Sequence, residues 1–396
     1  MTMAAAIESR TADTSARSTS SRIAAIDIFT GLDEAETVWR GLESRHHLFT
    51  PYQRFDFLRH WQQMVGAREG LRPLVIVAYD RDRVPLLLLP LVLKERWGIR
   101  VVHFMGGKHA TFNMALWNRD FAAAASRADL DVLFGVIRER AGVDVLAFDQ
   151  QPLSWQGLPN PMSLLPRQIS VNDCPLMTIV PGAPATARIS HSLRGRLKGK
   201  ERKLKALPGY RYYTAIRDDD IRRLLDAFFR IKPLRMAEQN LPNVFAEPGV
   251  EDFIRKACIA PLAGGGRVIE IHALECDSEV IALFAGVADA YRFSMMFNTY
   301  TVSANSRFSP GLILIRHIVD RYAERGYRAL DLGIGSDSYK KLFCKTNEPI
   351  FDCFIPLGSH GAAAAMVMSI AGRAKRIVKG SAALLRLAQG LRRVVS

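Results

Sequence analysis

Residues 291–343 read YRFSMMFNTYTVSANSRFSPGLILIRHIVDRYAERGYRALDLGIGSDSYKKLF. Tyr291 to Tyr300 is an apolar, aromatic run of strand length, and Thr301 to Phe308 is a polar loop. Ser309-Pro310-Gly311 opens a helix from Leu312 to Arg325. Its buried stripe is expected at Leu312, Ile315, Val319 and Tyr322, with Ile313, His317, Asp320 and Glu324 turned partly outward. Gly326 is placed to stop it. Ala329 to Gly333 is a short strand carrying Asp331, and Asp337 to Phe343 starts another helix.

The junction before the helix has chemistry of its own. A helix N-terminus leaves backbone N–H groups unpaired under a partial positive charge, which attracts phosphate. Ser309 is placed to cap it, Pro310 suits the first helical position, Gly311 permits close approach of a ligand, and Arg307 adds a cation. The same tripeptide caps many ordinary helices, so anion binding and plain capping both stand. Asp331, at a strand end, is a candidate base or orienting group, or an acceptor for loop N–H groups. Glu270 and His272 alternate on one face of a strand, which suits either a cleft or a solvated face.

Working outward, Leu74–Tyr79 and Pro85–Leu93 flank the turn Asp80-Arg81-Asp82-Arg83, a hairpin followed by a strand at Val101–Met105. The same outline returns later in the chain. Val268–Leu274, the polar turn Glu275-Cys276-Asp277-Ser278-Glu279 and Val280–Val287 precede the strand at Tyr291. This repetition predicts two structurally similar halves. Phe57, Trp61 and Met64 mark an amphipathic helix in the first. The expected division is a disordered leader at 1–22, a first half at 23–180, a basic linker or helix at 181–210, a second half at 211–358 and a basic amphipathic tail at 359–396. The linker is dense in Arg and Lys, with Glu201 its single acid between Arg188 and Lys205, and Leu193, Leu197 and Leu204 form an apolar edge. From Gly361 to Ser396 there are seven Arg or Lys and no acid, interleaved with Ile370, Ile377, Leu384, Leu385, Leu387 and Leu391.

With 54 Lys+Arg against 39 Asp+Glu the chain is basic, which favours a phosphate-bearing cofactor, nucleic acid or an anionic membrane over cationic partners. The five cysteines and nine histidines show no metal-ligand spacing, so neither structural zinc nor disulfides are expected. Cys344 reads as a small buried hydrophobe. The apolar run Val84–Leu93 is short and broken by Pro85 and Pro90, so it is no bilayer span, and residues 1–22 lack the apolar core of a signal peptide. A cytoplasmic protein, peripheral to the inner membrane if the tail docks there, is the expectation.

The ordered set of strand, polar loop, S-P-G, helix, E-R-G, D-L-G strand and Y-K-K-L-F resembles the CelD-type acetyltransferases of cellulose and exopolysaccharide synthesis. These are FemAB-like relatives within the GNAT superfamily. The segment Arg194–Leu204, and Phe57, Trp61, Pro85–Leu93 and Gly106-Gly107 farther forward, resemble the matching parts of that family, so the likeness spans roughly residues 25 to 355. It implies an α/β (α+β) fold of two tandem GNAT-like halves with mixed, largely antiparallel sheets flanked by helices, and acyl-CoA bound by the second half. By that analogy Arg307, Ser309, Pro310 and Gly311 hold the pyrophosphate, and Asp331, Tyr339 and Lys340 line the reaction cleft. The usual Q/R-x-x-G-x-G/A loop is absent, with only Gly311 remaining.

The expected reaction is direct acyl transfer from acyl-CoA, acetyl first among them, to a hydroxyl or amine of a saccharide precursor or small metabolite. No metal is needed. Asp331 or Glu270 would act as base and Tyr339 as acid. The alternatives are aminoacyl transfer from aminoacyl-tRNA, which would use the Arg188–Lys205 cluster, and a non-catalytic scaffold held at an anionic membrane by the tail. Because Gly106-Gly107-Lys108 sits in a different context from Ser309-Pro310-Gly311, one site per chain is expected.

Overall fold

The computed structural model describes residues 21–335 and 337–381. The leader through residue 20, and the part of the tail that holds Leu384, Leu385, Leu387 and Leu391, lie outside the described residues. The first half contributes β1 (Ala25–Phe29), α1 (Leu32–Gly41), α2 (Phe55–Trp61), β2 (Arg72–Tyr79), β3 (Pro85–Arg96) and β4 (Ile99–Phe104). It continues with α3 (Arg127–Ala141), β5 (Val145–Pro152) and β6 (Gln168–Ile169). Next come β7 (Cys174–Thr178), α4 (His191–Lys205), β8 (Arg211–Thr214), α5 (Asp218–Glu238), α6 (Val250–Ile259), β9 (Glu270–Cys276), β10 (Glu279–Ala288) and β11 (Arg292–Tyr300). The chain closes with α7 (Pro310–Glu324), β12 (Ala329–Asp331), α8 (Lys340–Phe343), β13 (Thr346–Glu348), β14 (Ile350–Pro356) and α9 (Ser359–Gly380).

Both predicted hairpins form, and their turns differ. β9 and β10 close on Asp277-Ser278, both at positive φ (53° and 59°), the two-residue geometry that matches strand twist. The polar turn is therefore shorter than its sequence suggests, because Glu275 pairs with Val280 and Cys276 with Glu279 inside the ladder. The β2–β3 turn is longer, and Asp80 Oδ1 holds it by accepting from the N–H groups of Asp82 and Val84 at 2.9 and 2.8 Å.

The halves repeat one topology. The first sheet runs β1-β2-β3-β4-β5-β14-β6 and the second β8-β9-β10-β11-β12-β7-β13. In each, the fourth and fifth strands are parallel, β4 with β5 from Val101↔Val145 to His103↔Ala147 and β11 with β12 from Arg292↔Ala329 to Ser294↔Asp331. A parallel pair needs a crossover, and α3 and α7 provide it. The sixth strand of each sheet comes from the far side of the chain. β7 leaves the first half to lie between β12 and β13, and β14 leaves the second to lie between β5 and β6. Sequence boundaries at 180 and 358 assign each of these strands to the half it does not complete.

The two crossings run antiparallel side by side, with Ile169 opposite Phe351 and Cys174 opposite Glu348. There a charged cluster is sealed. Arg292 Nη2 donates to Glu348 Oε2, its Nη1 lies 3.9 Å from Asp331 Oδ2, and the guanidinium stacks on Trp155 at 4.2 Å. All three charged side chains are buried.

Helix α4, in the segment expected as a basic linker or helix, is packed into the second half. Leu193, Leu197 and Leu204 join the core under α7, each burial contributing roughly 1.5–3 kcal/mol. Arg194 makes a fork to Asp320 at 2.8 and 2.6 Å, and Glu201 accepts from Arg316 and His317. On α7 itself Ile313 is buried and Leu312 only half-buried, the reverse of the sequence expectation, because α4 covers the flank that holds Ile313 and Arg316.

Removing one partner from a buried ion pair leaves the other charge without a counterion. Glu348→Ala is expected to cost roughly 3–5 kcal/mol, read as a lower urea midpoint. Lys375→Ala on the exposed surface should leave the midpoint unchanged.

Candidate active site between the halves

The three-residue pairing of β11 with β12 ends at Ser294↔Asp331, and the strands then part. A cleft of about 370 Å³ opens at that divergence. Met295 to Asn298 form one wall, and Leu332, Gly333 and Ile334 the other. Phe253 and Ile254 of α6 supply an apolar side, and Lys108, His109 and Thr111 reach in from the first half. A bulge at Met296 turns β11 here, since Phe297 pairs with Ala285 and Met295 with Gly286.

Tyr339 and Lys340, both named from sequence, line this cleft. The Tyr339 hydroxyl accepts from Asn298 Nδ2 at 3.3 Å, and burial pushes it well above the usual phenol range. Lys340 is 3% exposed and donates to the carbonyls of Gly333 and Ile334 at 3.2 and 2.8 Å, so it pins the loop that forms the second wall.

Asp331 lies behind the cleft rather than in its lining. It is fully buried, accepts from Ser294 Oγ and from the Gly333 N–H at 3.1 Å, and burial lifts it to about 6 against the pull of Arg292 and these hydrogen bonds. Its route to the cleft runs through hydroxyls. Ser294 adjoins Tyr52, whose OH donates to Thr111 Oγ1 at 3.0 Å, and Thr111 faces the cleft.

Glu270 is not brought to this place. It sits with His272 on the face of β9 covered by α7, where Tyr322 OH donates to Glu270 Oε2 at 2.9 Å and lies 3.0 Å from His272 Nε2. Burial there drives His272 down to about 3.

The Arg307–Gly311 junction lies beyond the end of β11, with Gly311 against the Tyr300 ring. Ser309 does not cap α7. Its backbone is left-handed (φ 56°, ψ 52°) and its hydroxyl accepts from Lys200 Nζ at 2.7 Å. The carbonyl of Ser309 instead takes the N–H groups of Leu312 and Ile313 at 3.1 and 3.2 Å. Pro310 is buried at the first helical position and Arg307 is exposed beside Phe308. A Cβ on Gly311 would make only ordinary contacts, so no tight approach demands glycine there. The equivalent helix start in the first half is closed off, because Ser126 and Asp129 form a capping box and Asp129 also accepts from the Arg22 N–H at 2.8 Å.

Several residues of the cleft escaped the sequence reading. His109 Nδ1 accepts from Trp61 Nε1 at 3.0 Å, and burial lowers the ring to about 4, so the neutral imidazole carries its proton on Nε2. Lys232 of α5 donates to the Asn298 carbonyl at 3.0 Å, and burial lowers its amine. Outside the lining, Arg235 donates to the carbonyls of Tyr300 and Thr301 at 3.3 and 2.7 Å. The signal for His109 was the Gly106-Gly107-Lys108 loop, which takes its meaning only once the halves are docked. Among the described residues no three or more His, Cys, Asp or Glu side chains gather into a metal-binding group.

Residues 191–341 match the family model of an acetyltransferase (GNAT) domain. Among solved structures, FemX superposes with a TM-score of 0.52 at 8% identity, over 82% of this chain and 96% of that one. The C-terminal DUF2156 domain of an Agrobacterium fabrum protein, provisionally assigned as a lysylphosphatidylglycerol synthetase, gives 0.51 at 12% identity, over 86% and 97%. A conserved protein of unknown function from Bacteroides thetaiotaomicron gives 0.50 at 12%, over 84% and 100%. At such identities the likeness is one of fold, and the fold is two tandem GNAT-like halves. No curated protein matches the chain in sequence.

The α4–α7 contact beside the site carries its own pH signature. Burial works to raise the Glu201 carboxyl, yet hydrogen bonds from His317 and Tyr210 and the Arg316 charge bring it down to about 2. Its contribution to stability is therefore complete above about pH 4.5 and fades as pH falls toward 2. The difference in melting temperature between wild type and Glu201→Gln should be largest near neutrality and shrink below pH 4.

Proposed function

We propose that this chain is an acyltransferase that moves an acyl group from acyl-CoA directly onto a hydroxyl or amine in the cleft between its halves. The observation that carries the reading is the parting of β11 and β12 beyond Ser294↔Asp331, with Tyr339 and Asn298 at the opening. Phosphates of the carrier would lie by Arg307, Lys200 and the start of α7, and the thioester arm would follow β11 past Tyr300 to Asn298. The lining holds three lysines, Lys108, Lys232 and Lys340, against one carboxylate, Asp337, which pairs with Lys340; the excess of bases suits an acceptor bearing an anionic group, such as a sugar phosphate.

In this reading Thr111 meets the acceptor hydroxyl or amine. For this the Tyr52 hydroxyl turns from Thr111 towards Ser294: Thr111 takes the acceptor's proton as the new bond to the thioester carbon forms and gives its own to Tyr52, which passes one through Ser294 to ionised Asp331. His109, neutral and donating through Nε2, stabilises the developing oxyanion. Tyr339 protonates the leaving thiolate as the carbon–sulfur bond breaks. Lys340 holds the 333–334 wall and is a positioning residue. Glu270, bonded to Tyr322 on the other face, has no part in these steps.

A second reading, aminoacyl transfer from aminoacyl-tRNA, draws on two observations. Lys232 and Arg235 already occupy the Asn298 and Tyr300 carbonyls, which an amide-bearing arm would otherwise use. The exposed face of α4 carries Arg196, Lys198, Arg202, Lys203 and Lys205.

Calorimetric titration of acetyl-CoA and longer acyl-CoAs into wild type and Gly311→Trp separates the two. Binding by wild type that is lost in the folded variant is expected. Absence of binding by wild type, together with tRNA binding that depends on the α4 bases, would move the second reading ahead. With an acceptor in hand, Tyr339→Phe should lower kcat by about 10²-fold or more with little change in KM. Activity should fall as pH drops below about 6, where Asp331 takes up a proton, and Asp331→Asn should remove that limb along with most of the rate.

A further inference from the structure

Helix α9 presents two unlike faces. Its inner face is pressed onto the first sheet, where Ala365 packs with Val101, Val145 and Ala147, and Met368 and Phe354 close around them. The fit leaves no room for a side chain at Gly361, where a Cβ would lie 1.9 Å from the Asp144 carbonyl. Arg373 and Ser369 donate to Gln168, and Arg376 donates to Ser170 O and Asp173. The helix is thus a fixed part of the fold.

Its outer face is apolar and bare. Met366, Val367, Ile370 and Ile377 are 64, 64, 58 and 65% exposed, the largest such group on one element among the described residues. At helical spacing they fall with Ala363 and Ala374 in an arc roughly 100° wide, bordered by Arg373. An apolar stripe of this size is unusual on a protein surface without a partner. From Ser359 through Ser396 the sequence has seven Arg or Lys and no acid, with Arg386, Arg392 and Arg393 following the helix. No described helix is long and apolar enough to cross a membrane.

We propose that the outer face of α9 docks the protein on an anionic lipid surface, with Met366, Val367, Ile370 and Ile377 entering the headgroup–acyl boundary. Charge complementarity chooses this occupant over a second copy of the chain. A second copy would bring its own basic, acid-free helix against this one, whereas anionic headgroups meet both the stripe and its rim. Arg373, exposed at the border of the stripe, sets the preference for negative lipid. The inference is independent of the reaction proposed above.

The test is flotation of the full chain with phosphatidylcholine vesicles and with vesicles containing phosphatidylglycerol, at low and high salt. Wild type should float with the anionic vesicles only, and less at high salt. The double variant Ile370→Ser/Ile377→Ser alters only exposed side chains, and near-UV circular dichroism checks its fold. It should lose most of the binding, and Arg373→Gln should weaken it roughly fivefold. Three results would overturn the proposal: no flotation of wild type, equal flotation with neutral vesicles, or undiminished flotation of the folded double variant. So would a wild-type dimer that the double variant converts to monomer, which would give this face to a second copy.

Discussion

The buried contact of Arg292 with Glu348 and Asp331 ties together what the rest of the structure needs held. Each of the three residues lies on a different strand of the second sheet, and the pair sits where the chain crosses between the sheets in both directions. Burying three charges is costly unless they satisfy one another, and here the cost enforces position. Arg292 meets Glu348 only if β13 has returned beside β7, and approaches Asp331 only if β11 and β12 are in their parallel register. That register places the end of pairing at Ser294, and the end of pairing places the cleft.

Much of the fold was legible because it is written in local patterns. The two hairpins, the strand at Tyr291, the helix stopped by Gly326 and the repeat of the halves all follow from apolar periodicity and turn chemistry. The exchange of β7 and β14 was not legible. Cys174–Thr178 and Ile350–Pro356 look like strands of their own halves, and nothing in a strand's sequence says which sheet edge it will join. The helix option for 181–210, with its edge at Leu193, Leu197 and Leu204, is the one that forms as α4, but its seat was not legible for a related reason: the Arg194–Asp320 fork that docks it depends on what α7 presents.

The site was legible in part and for the same reason. Tyr339 and Lys340 stand close in sequence to the strand that opens the cleft, so a contiguous motif found them. Thr111, Tyr52, His109 and Lys232 come from distant segments and meet only in three dimensions. Glu270 shows the converse. Alternation along β9 put it on a definite face, but only the position of α7 decided that this face is closed. The duplicated architecture also explains the asymmetry between halves. Asp129 spends its charge on the helix start that corresponds to Ser309, and the first half reaches the cleft through its loop at Lys108–Thr111.

Strand exchange has a consequence for how the chain is made. The first sheet has its edge strand β6 by residue 169, but the strand that must lie between β5 and β6 ends at residue 356. At ordinary elongation speeds of 5–20 residues per second, the interval is about ten to forty seconds. Throughout it the nascent first half leaves the edge of β5 unpaired, since the two residues of β6 pair only with β14, and that edge is open to any extended segment that passes. The duplicated outline makes β7 an obvious wrong occupant, since it emerges first and fills the corresponding place in the other sheet. Biogenesis of this molecule is thus a problem of keeping a seat empty until its own strand arrives.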